Sequence, residues 1–344
     1  MPPRKPTTSA PPLPLPIEIF SLVFTYLLDT DGSSLARCCR VSHSFFDVAA
    51  PVLYQRVIVS PDPARDSRRD FAPDRITANG KEKTSTRKKK LLKNAQVVTI
   101  DFHHATWCGN KSFKYPKLHT LVLNLAKCLD PKKLVLVNAC FTNISGDMLG
   151  VPFKLLKDAE QLTFIATLTP IHPSMMSGGF PRDQSKLKKV VWIFHAPTPA
   201  RRWSPGNQDI LGERERSRLD GDMDIFVSVI RSFPDIPIYI VNAGYLDHRY
   251  AGVKEWREDA VQDKFAETLK QKIIMEGFRR GRHWGADGKI EANEDPEEIR
   301  KEKEAEKLSL KKFNTIKLLT MKGYLENHDW TGEFDCKEAK LWLV

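Results

Sequence analysis

The side chains able to do chemistry are scattered along this sequence. His103, His104 and Cys108 are the one local group of metal-ligand types. Adjacent histidines on an extended chain point to opposite sides, so their donors do not converge. The group reads as a strand edge leading into a loop, and neither a metal nor any other cofactor is expected. No phosphate-cradling P-loop, dinucleotide fingerprint, GxSxG elbow or HExxH pair occurs. The sequence therefore predicts no catalytic residue, and an enzyme assembled from distant residues is the weakest of the functional readings.

Two stretches concentrate cations. The run from Lys81 ends in Arg87, Lys88, Lys89 and Lys90. It reads as a nuclear-localisation element, a nucleic-acid tether or a solvated linker. Aromatic side chains for base stacking are missing nearby, which argues against nucleic acid. The second stretch, Phe278-Arg279-Arg280-Gly281-Arg282-His283-Trp284, suits an anionic peptide or phosphate. It reads equally well as the end of a helix capped at Gly277 or Gly281.

The elements that must position these residues belong to a chain of 344 residues, long enough for a substantial core. Its formal charge of +11 favours anionic partners, although much of the excess sits in one segment. The six cysteines include adjacent Cys38 and Cys39 and no CxxC spacing, so reduced thiols are expected, not a disulfide framework or zinc module. No apolar region precedes the N-terminal prolines, and the apolar run from Ile17 to Leu28, interrupted at Glu18, is too short to span a bilayer. The expectation is no secretory leader, no membrane, and a place in the cytoplasm or nucleus.

Residues 1–14 are rich in Pro, Ser and Thr and predict disorder. A helical unit spans 15–59, a basic charged linker or loop 60–93, and an α/β domain 94–344. In that domain apolar residues recur at the first, fourth and sixth places of a short pattern. The copies are Val97-Ile100-Phe102, Leu118-Leu121-Leu123, Ala159-Leu162-Phe164, Leu187-Val190-Trp192, Phe233-Ile236-Ile238 and Phe313-Ile316-Leu318, with a partial copy at Leu134 and Leu136. Alternation turns the last two places of each copy to one face of a strand. Helix-compatible stretches such as 148–157 and 223–233 lie between copies, so the pattern predicts a parallel sheet with crossover helices. Insertions are expected near 197–219 and 245–312. The second insertion holds one helix with the apolar stripe Trp256, Ala260, Phe265, Leu269 and Ile273, and a solvated helix that starts at Asp295. The aromatic segment 321–343 reads as a cap over the final strand.

The helix that opens after Pro16 carries Ile17, Ile19, Phe20, Leu22, Val23, Phe24, Tyr26, Leu27 and Leu28. At 3.6 residues per turn these cover nearly the whole circumference, which marks a helix buried on every side. Two short helices follow, one after Asp31 or Ser33 and one capped by Ser42. So small a unit cannot enclose the first helix, so something else must cover its second face.

The succession Leu15-Pro16-x-Glu18-Ile19, Val23, Leu27, Leu35, Val41-Ser42 and Phe45 resembles the F-box, and Ala49-Ala50-Pro51-x-Leu53-Tyr54 looks like F-box proteins of fungal type. Many members have tryptophan where Phe45 stands. The strand pattern resembles a degenerate leucine-rich repeat, though the usual asparagine after the apolar triplet is missing from every copy and the spacing is uneven. A one-off α/β sheet fits as well. The resemblance implies a three-helix F-box followed by an irregular leucine-rich-repeat-like solenoid. It implies a non-catalytic substrate receptor of an SCF-type cullin-RING ubiquitin ligase. Its partners would be a Skp-type adaptor, a cullin reached through that adaptor, and a protein substrate. Leu15, Pro16, Ile19, Val23, Leu35, Val41 and Phe45 would make the adaptor contact. The alternative is a basic nuclear scaffold or nucleic-acid-binding protein whose N-terminal helices pack internally.

Overall fold

The computed structural model describes residues 15–59, 90–100, 129–137, 153–167, 185–195, 226–227, 230, 233, 235–245, 257–281, 296–334 and 339. Three helices come first: α1 (Ile17–Thr30), α2 (Gly32–Cys38) and α3 (His43–Leu53). Only Tyr54 and Gln55 separate α3 from β1 (Arg56–Val59). The remaining strands are β2 (Val97–Ile100), β3 (Lys133–Val137), β4 (Gln161–Thr167), β5 (Lys189–His195), β6 (Ile238–Val241) and β7 (Ile316–Leu319). The longer helices between them are α4 (Phe153–Asp158), α5 (Glu258–Gly281) and α6 (Pro296–Asn314), and α7 (Met321–Asn327) follows β7.

The seven strands form one sheet in the order β1 to β7, and every pair is parallel. Each strand lies beside its neighbour in sequence, so the order never reverses to open the crevice where doubly wound sheets bind cofactors. The predicted parallel α/β architecture is present.

Both faces of the sheet are covered. On the first face Val98, Leu134, Leu136, Leu162, Phe164, Val190, Trp192, Ile238 and Ile240 pack against helical residues from α4, α5 and the 226–230 segment. Trp192 stacks on Phe164 at 4.4 Å and meets Phe226 edge-on at 4.8 Å, while Phe265 of α5 reaches Phe194. The second face buries Val97, Val135, Ile165, Val191, Ile193 and Val241 beneath Met321, Tyr324, Leu325, Phe334 and Ala339. Burial on both sides explains why these strands are nearly continuous runs of Val, Ile and Leu.

The structure corrects the register of two copies. Val98 pairs with Leu134, and Ile238 pairs with both Val190 and Ile316, so the aligned copies are Ala95-Val98-Ile100 and Asp235-Ile238-Ile240. The copies at 134–136, 159–164, 187–192 and 313–318 fall in the expected register. The copy at 118–123, the proposed loop 197–219, the N-terminal residues 1–14 and Trp256 lie outside the described residues. On α5 the buried stripe is Val261, Phe265, Leu269 and Ile273, with Val261 taking the place expected of Ala260. Helix α5 runs through Gly277 and includes Gly281 as its last residue. At the end of the expected linker, Leu92 is buried in the main core, so the chain is already packed before residue 94.

Helix α6 is largely solvated, as its composition implies, but it is pinned at its end. The Lys312 ammonium donates to the Phe233 and Ile236 carbonyls just before β6, and burial holds its pKa down to about 8. No described helix is long and apolar enough to cross a membrane.

The largest departure from expectation is the C-terminal segment. It does not merely close the last strand. After α7 it runs back over the second face, and Gly332 lies against Val97 and Arg56 at the far side of the sheet. Its aromatic residues showed no strand or helix period that would have revealed this path.

Candidate functional site

The N-terminal helices are fixed by local capping. Pro16 precedes α1 with extended backbone, and its carbonyl accepts from Ile19 N (3.1 Å) and Phe20 N (3.3 Å). The Asp31 carboxylate caps α2, accepting from the backbone N–H groups of Ser33 and Ser34 at 3.2 Å and from both hydroxyls at 2.6 Å. Those hydrogen bonds, the Ser33 hydroxyl first, hold the Asp31 carboxyl well below the usual carboxylate range. Ser42 Oγ accepts from Phe45 N at 3.2 Å and starts α3, as the sequence predicts.

Inside this unit Phe20, Phe24, Leu35, Val48, Ala49, Val52 and Leu53 form a separate small core. Phe45 is half-buried and meets Phe20 edge-on at 5.2 Å and Phe24 at 5.9 Å. The inward arc of α1 is therefore Phe20 and Phe24, supported by Leu27 and Leu28.

The outward arc is left bare. Leu15 (51% exposed), Ile19 (44%), Leu22 (68%), Val23 (46%) and Tyr26 (68%) recur three, four and seven residues apart and share one face. Val41, in the turn before α3, is 66% exposed and Ile17 at the helix start is 56% exposed. Polar residues on α1 turn inward on the backbone. The hydroxyls of Ser21, Thr25 and Thr30 donate to the carbonyls four residues earlier, at 2.8–2.9 Å. The face so produced is greasy and has few free donors. Soluble chains rarely leave such a contiguous patch uncovered.

Of the seven residues proposed from the sequence, the structure exposes Leu15, Pro16, Ile19, Val23 and Val41 on the outside of the unit. Leu35 is corrected: it is fully buried and has no area to give a partner, because α2 packs it into the small core. Phe45 spends much of its surface on Phe20 and Phe24. Leu22 and Tyr26 were not among the proposed residues, yet they are the most exposed apolar side chains of α1. The helical spacing from Leu15 carried that signal.

The basic run is only marginally placed: Lys90 is exposed at the start of a helical turn, and Arg87, Lys88 and Lys89 lie outside the described residues. His103, His104 and Cys108 lie outside them too, as do His283 and Trp284. Among the described residues no three His, Cys, Asp or Glu side chains come together as a metal site. Cys38 and Cys39 are free thiols, and burial pushes Cys39 up towards an inert, protonated form.

A second polar assembly, which the sequence did not reveal, lies on the second face of the sheet. One register row across adjacent strands carries Arg56, Val97, Lys133, Gln161 and Lys189. The C-terminal segment lays two carboxylates on that row. Lys133 Nζ meets Asp329 at 2.8 Å and Glu333 at 3.7 Å, and it also donates to the Asp329 carbonyl at 2.8 Å. The buried Glu333 carboxylate accepts from Gln161 Nε2 at 2.6 Å and from Tyr324 Oη at 2.8 Å. Burial pushes the Glu333 carboxyl up against the pull of Lys133, and it raises the Tyr324 phenol far above its ordinary value with help from the Glu333 charge. Burial also disfavours the Asp329 charge, but hydrogen bonds from Lys133 and Thr331 hold its pKa down to about 2.

Three helices, two of them started by side-chain caps at Asp31 and Ser42, carry an uncovered apolar stripe at the head of an α/β sheet, the build of a small docking module. Residues 13–60 match the F-box-like family model, so the chain carries an F-box-like domain at its N-terminal end. The match covers the helical unit and runs through β1, and it carries with it a general SCF-type adaptor-binding role. No curated protein and no solved structure matches the chain.

Proposed function

We propose that this chain is the substrate-recognition subunit of an SCF-type cullin-RING ubiquitin ligase. The F-box binds a Skp-type adaptor, the adaptor joins it to a cullin, and the sheet domain holds a protein substrate. The chain itself performs no chemistry. It acts by raising the effective concentration of the substrate's lysines beside a charged conjugating enzyme. One observation carries the reading: the stripe Leu15, Ile19, Leu22, Val23 and Tyr26 is left uncovered by the rest of the described chain. Covering each half-exposed side chain releases about 1 kcal/mol, since full burial of such a group is worth roughly 1.5–3 kcal/mol.

The sheet domain is read as an irregular leucine-rich-repeat-like solenoid. The sequential strand order supports this, as do the even steps from Leu134 to Leu162 to Val190. The basic run at 87–90 is proposed to direct the chain to the nucleus from the cytoplasm; a fluorescent fusion neutralised at those four residues should then stay cytoplasmic.

The deciding experiment is co-purification of the full chain with a Skp-type adaptor. Ile19→Asp together with Val23→Asp should abolish adaptor capture while the far-ultraviolet circular dichroism and melting temperature stay near wild type, because both residues already face outward. Leu15→Ala with Pro16→Ala should weaken capture. Adaptor binding that is absent in the wild type, or unchanged in the Asp variant, defeats the proposal.

A further inference from the structure

We propose that the diagonal Lys189–Tyr239–Lys317, roofed by His328, is a docking site for an acidic side chain of a bound protein segment. This inference rests on the reading of the sheet domain as the substrate-holding part, and it names the chemistry of the substrate. Val191, Tyr239 and Lys317 are direct neighbours across β5, β6 and β7, and Lys189 lies two residues before Val191 on the same side of the sheet. The Lys317 ammonium sits 5.6 Å from the centre of the Tyr239 ring, and the His328 ring meets that same ring edge-on at 4.9 Å. His328 is itself held from behind by stacking on Tyr324 at 5.3 Å.

The contact ion pairs on this face stop short of this end. Asp329 and Glu333 both converge on Lys133, and Arg56 pairs with Asp29 of α1. Lys189, half-buried, makes no contact ion pair or hydrogen bond among the described residues; burial pushes its ammonium below the ordinary value, and the Glu333 and Asp329 carboxylates act on it only from beyond contact distance. Lys317 has the Tyr239 ring. Two cations thus flank an aromatic floor without a contact ion pair, the nearby Asp329 and Glu333 carboxylates being engaged by Lys133. Their field is felt locally. Burial, then Lys189 and Lys317, pushes the His328 imidazole below its ordinary value, so it is neutral and available as a donor near pH 7.

The neighbouring part of the same face shows what such a row accepts. There the chain's own C-terminal segment seats carboxylates against Lys133 and Gln161 with direct hydrogen bonds. An acidic segment of a partner would complete the row beside that segment, which makes carboxylate or phosphoryl groups on a peptide the fitting ligand.

The test uses the full-length chain and fluorescence anisotropy with three labelled peptides: an oligo-glutamate, the same length with phosphoserines, and a serine-only control. A labelled single-stranded oligonucleotide is the fourth probe. The acidic or phosphorylated peptide is expected to bind in a salt-sensitive manner, and Lys317→Glu and Lys189→Glu are each expected to weaken it about tenfold, the factor that 1.4 kcal/mol represents. Lys317 is exposed, so its variant remains informative even if Lys189→Glu fails to fold. Nuclear magnetic resonance titration should show the His328 pKa rising when peptide is bound, since an anion seated by Lys189 and Lys317 on the exposed side of His328 favours the imidazolium.

Equal binding of the serine control, unchanged binding by Lys317→Glu, or no binding of either anionic peptide overturns the site. Binding of the oligonucleotide alone overturns the peptide assignment. Adaptor capture is measured on the same preparations: peptide failure with adaptor retained sinks this site alone, and adaptor failure with peptide bound sinks only the ligase reading.

Discussion

Leu35 and Leu22 belong to the same small unit and have the same chemistry, yet they sit in opposite environments. Leu35 is fully buried among Phe20, Phe24 and Val48, whereas Leu22 is 68% exposed. Truncating the first leaves a cavity; truncating the second removes area that only a partner would use. Leu35→Ala is expected to destabilise the chain by about 2–5 kcal/mol. Leu22→Ala should change stability by no more than about 0.5 kcal/mol while weakening adaptor capture. Urea unfolding of the two variants, paired with co-purification, separates core from contact. The sequence could say that α1 has too many apolar residues for one stripe. It could not assign Leu35, because the F-box pattern marks both core and contact positions as apolar. The split needed the helix–helix packing that turns Phe20 and Phe24 inward. Glu333 was less legible still, since nothing in its local sequence announces that its carboxylate is buried against Gln161 and Tyr324.

Among the elements, the strands and their parallel order were readable from the recurring apolar pattern, and the register was readable only in part. Val97 and Val98 are both buried, one on each face, so alternation at that strand gives no unique phase. The same ambiguity displaced the copy around Ile238. Where a single residue such as Lys189 or Gln161 interrupts the apolar run, the phase was correct. The C-terminal segment was invisible as a covering layer because it is held by a few long-range contacts and has no period. Gly332 is one of them. It adopts φ +80, and a Cβ there would meet Val97 Cγ2 at 2.9 Å and Arg56 Nε at 3.1 Å. Gly332→Ala therefore combines a left-handed backbone with a clash against a branched side chain, at a combined cost of about 1–3 kcal/mol. A lowered urea midpoint is expected, with faster amide exchange at 329–334 than at β3 and β4. Uniform exchange across the molecule would mean that the segment is not a separately releasable layer.

For the molecule as a whole, the consequential feature is the joint between the F-box and the sheet. α3 runs into β1 through two residues, with no linker between them, and Tyr54 belongs to both hydrophobic clusters. Arg56 of β1 forms an ion pair with Asp29 at the end of α1. Two cores that share a tyrosine and an ion pair should unfold together, because loss of one strips contacts from the other. Calorimetry of the wild-type chain is expected to show the helical unit and the sheet melting in a single transition. Tyr54→Ala removes the shared ring and should cost about 2–4 kcal/mol, the lower range for a large side chain that is only partly buried. More telling is the shape of the trace: the helical unit should then melt first, as a distinct low-temperature step, with the sheet following near its original temperature. Asp29→Ala should add little on its own, since partly exposed ion pairs contribute only about 0–1 kcal/mol. In the proposed receptor, that shared ring would join the two domains into one lever and hold a substrate on the sheet at a fixed position relative to the adaptor. If Tyr54→Ala lowers the melting temperature yet leaves one transition, the coupling runs through the strand itself and not through the tyrosine.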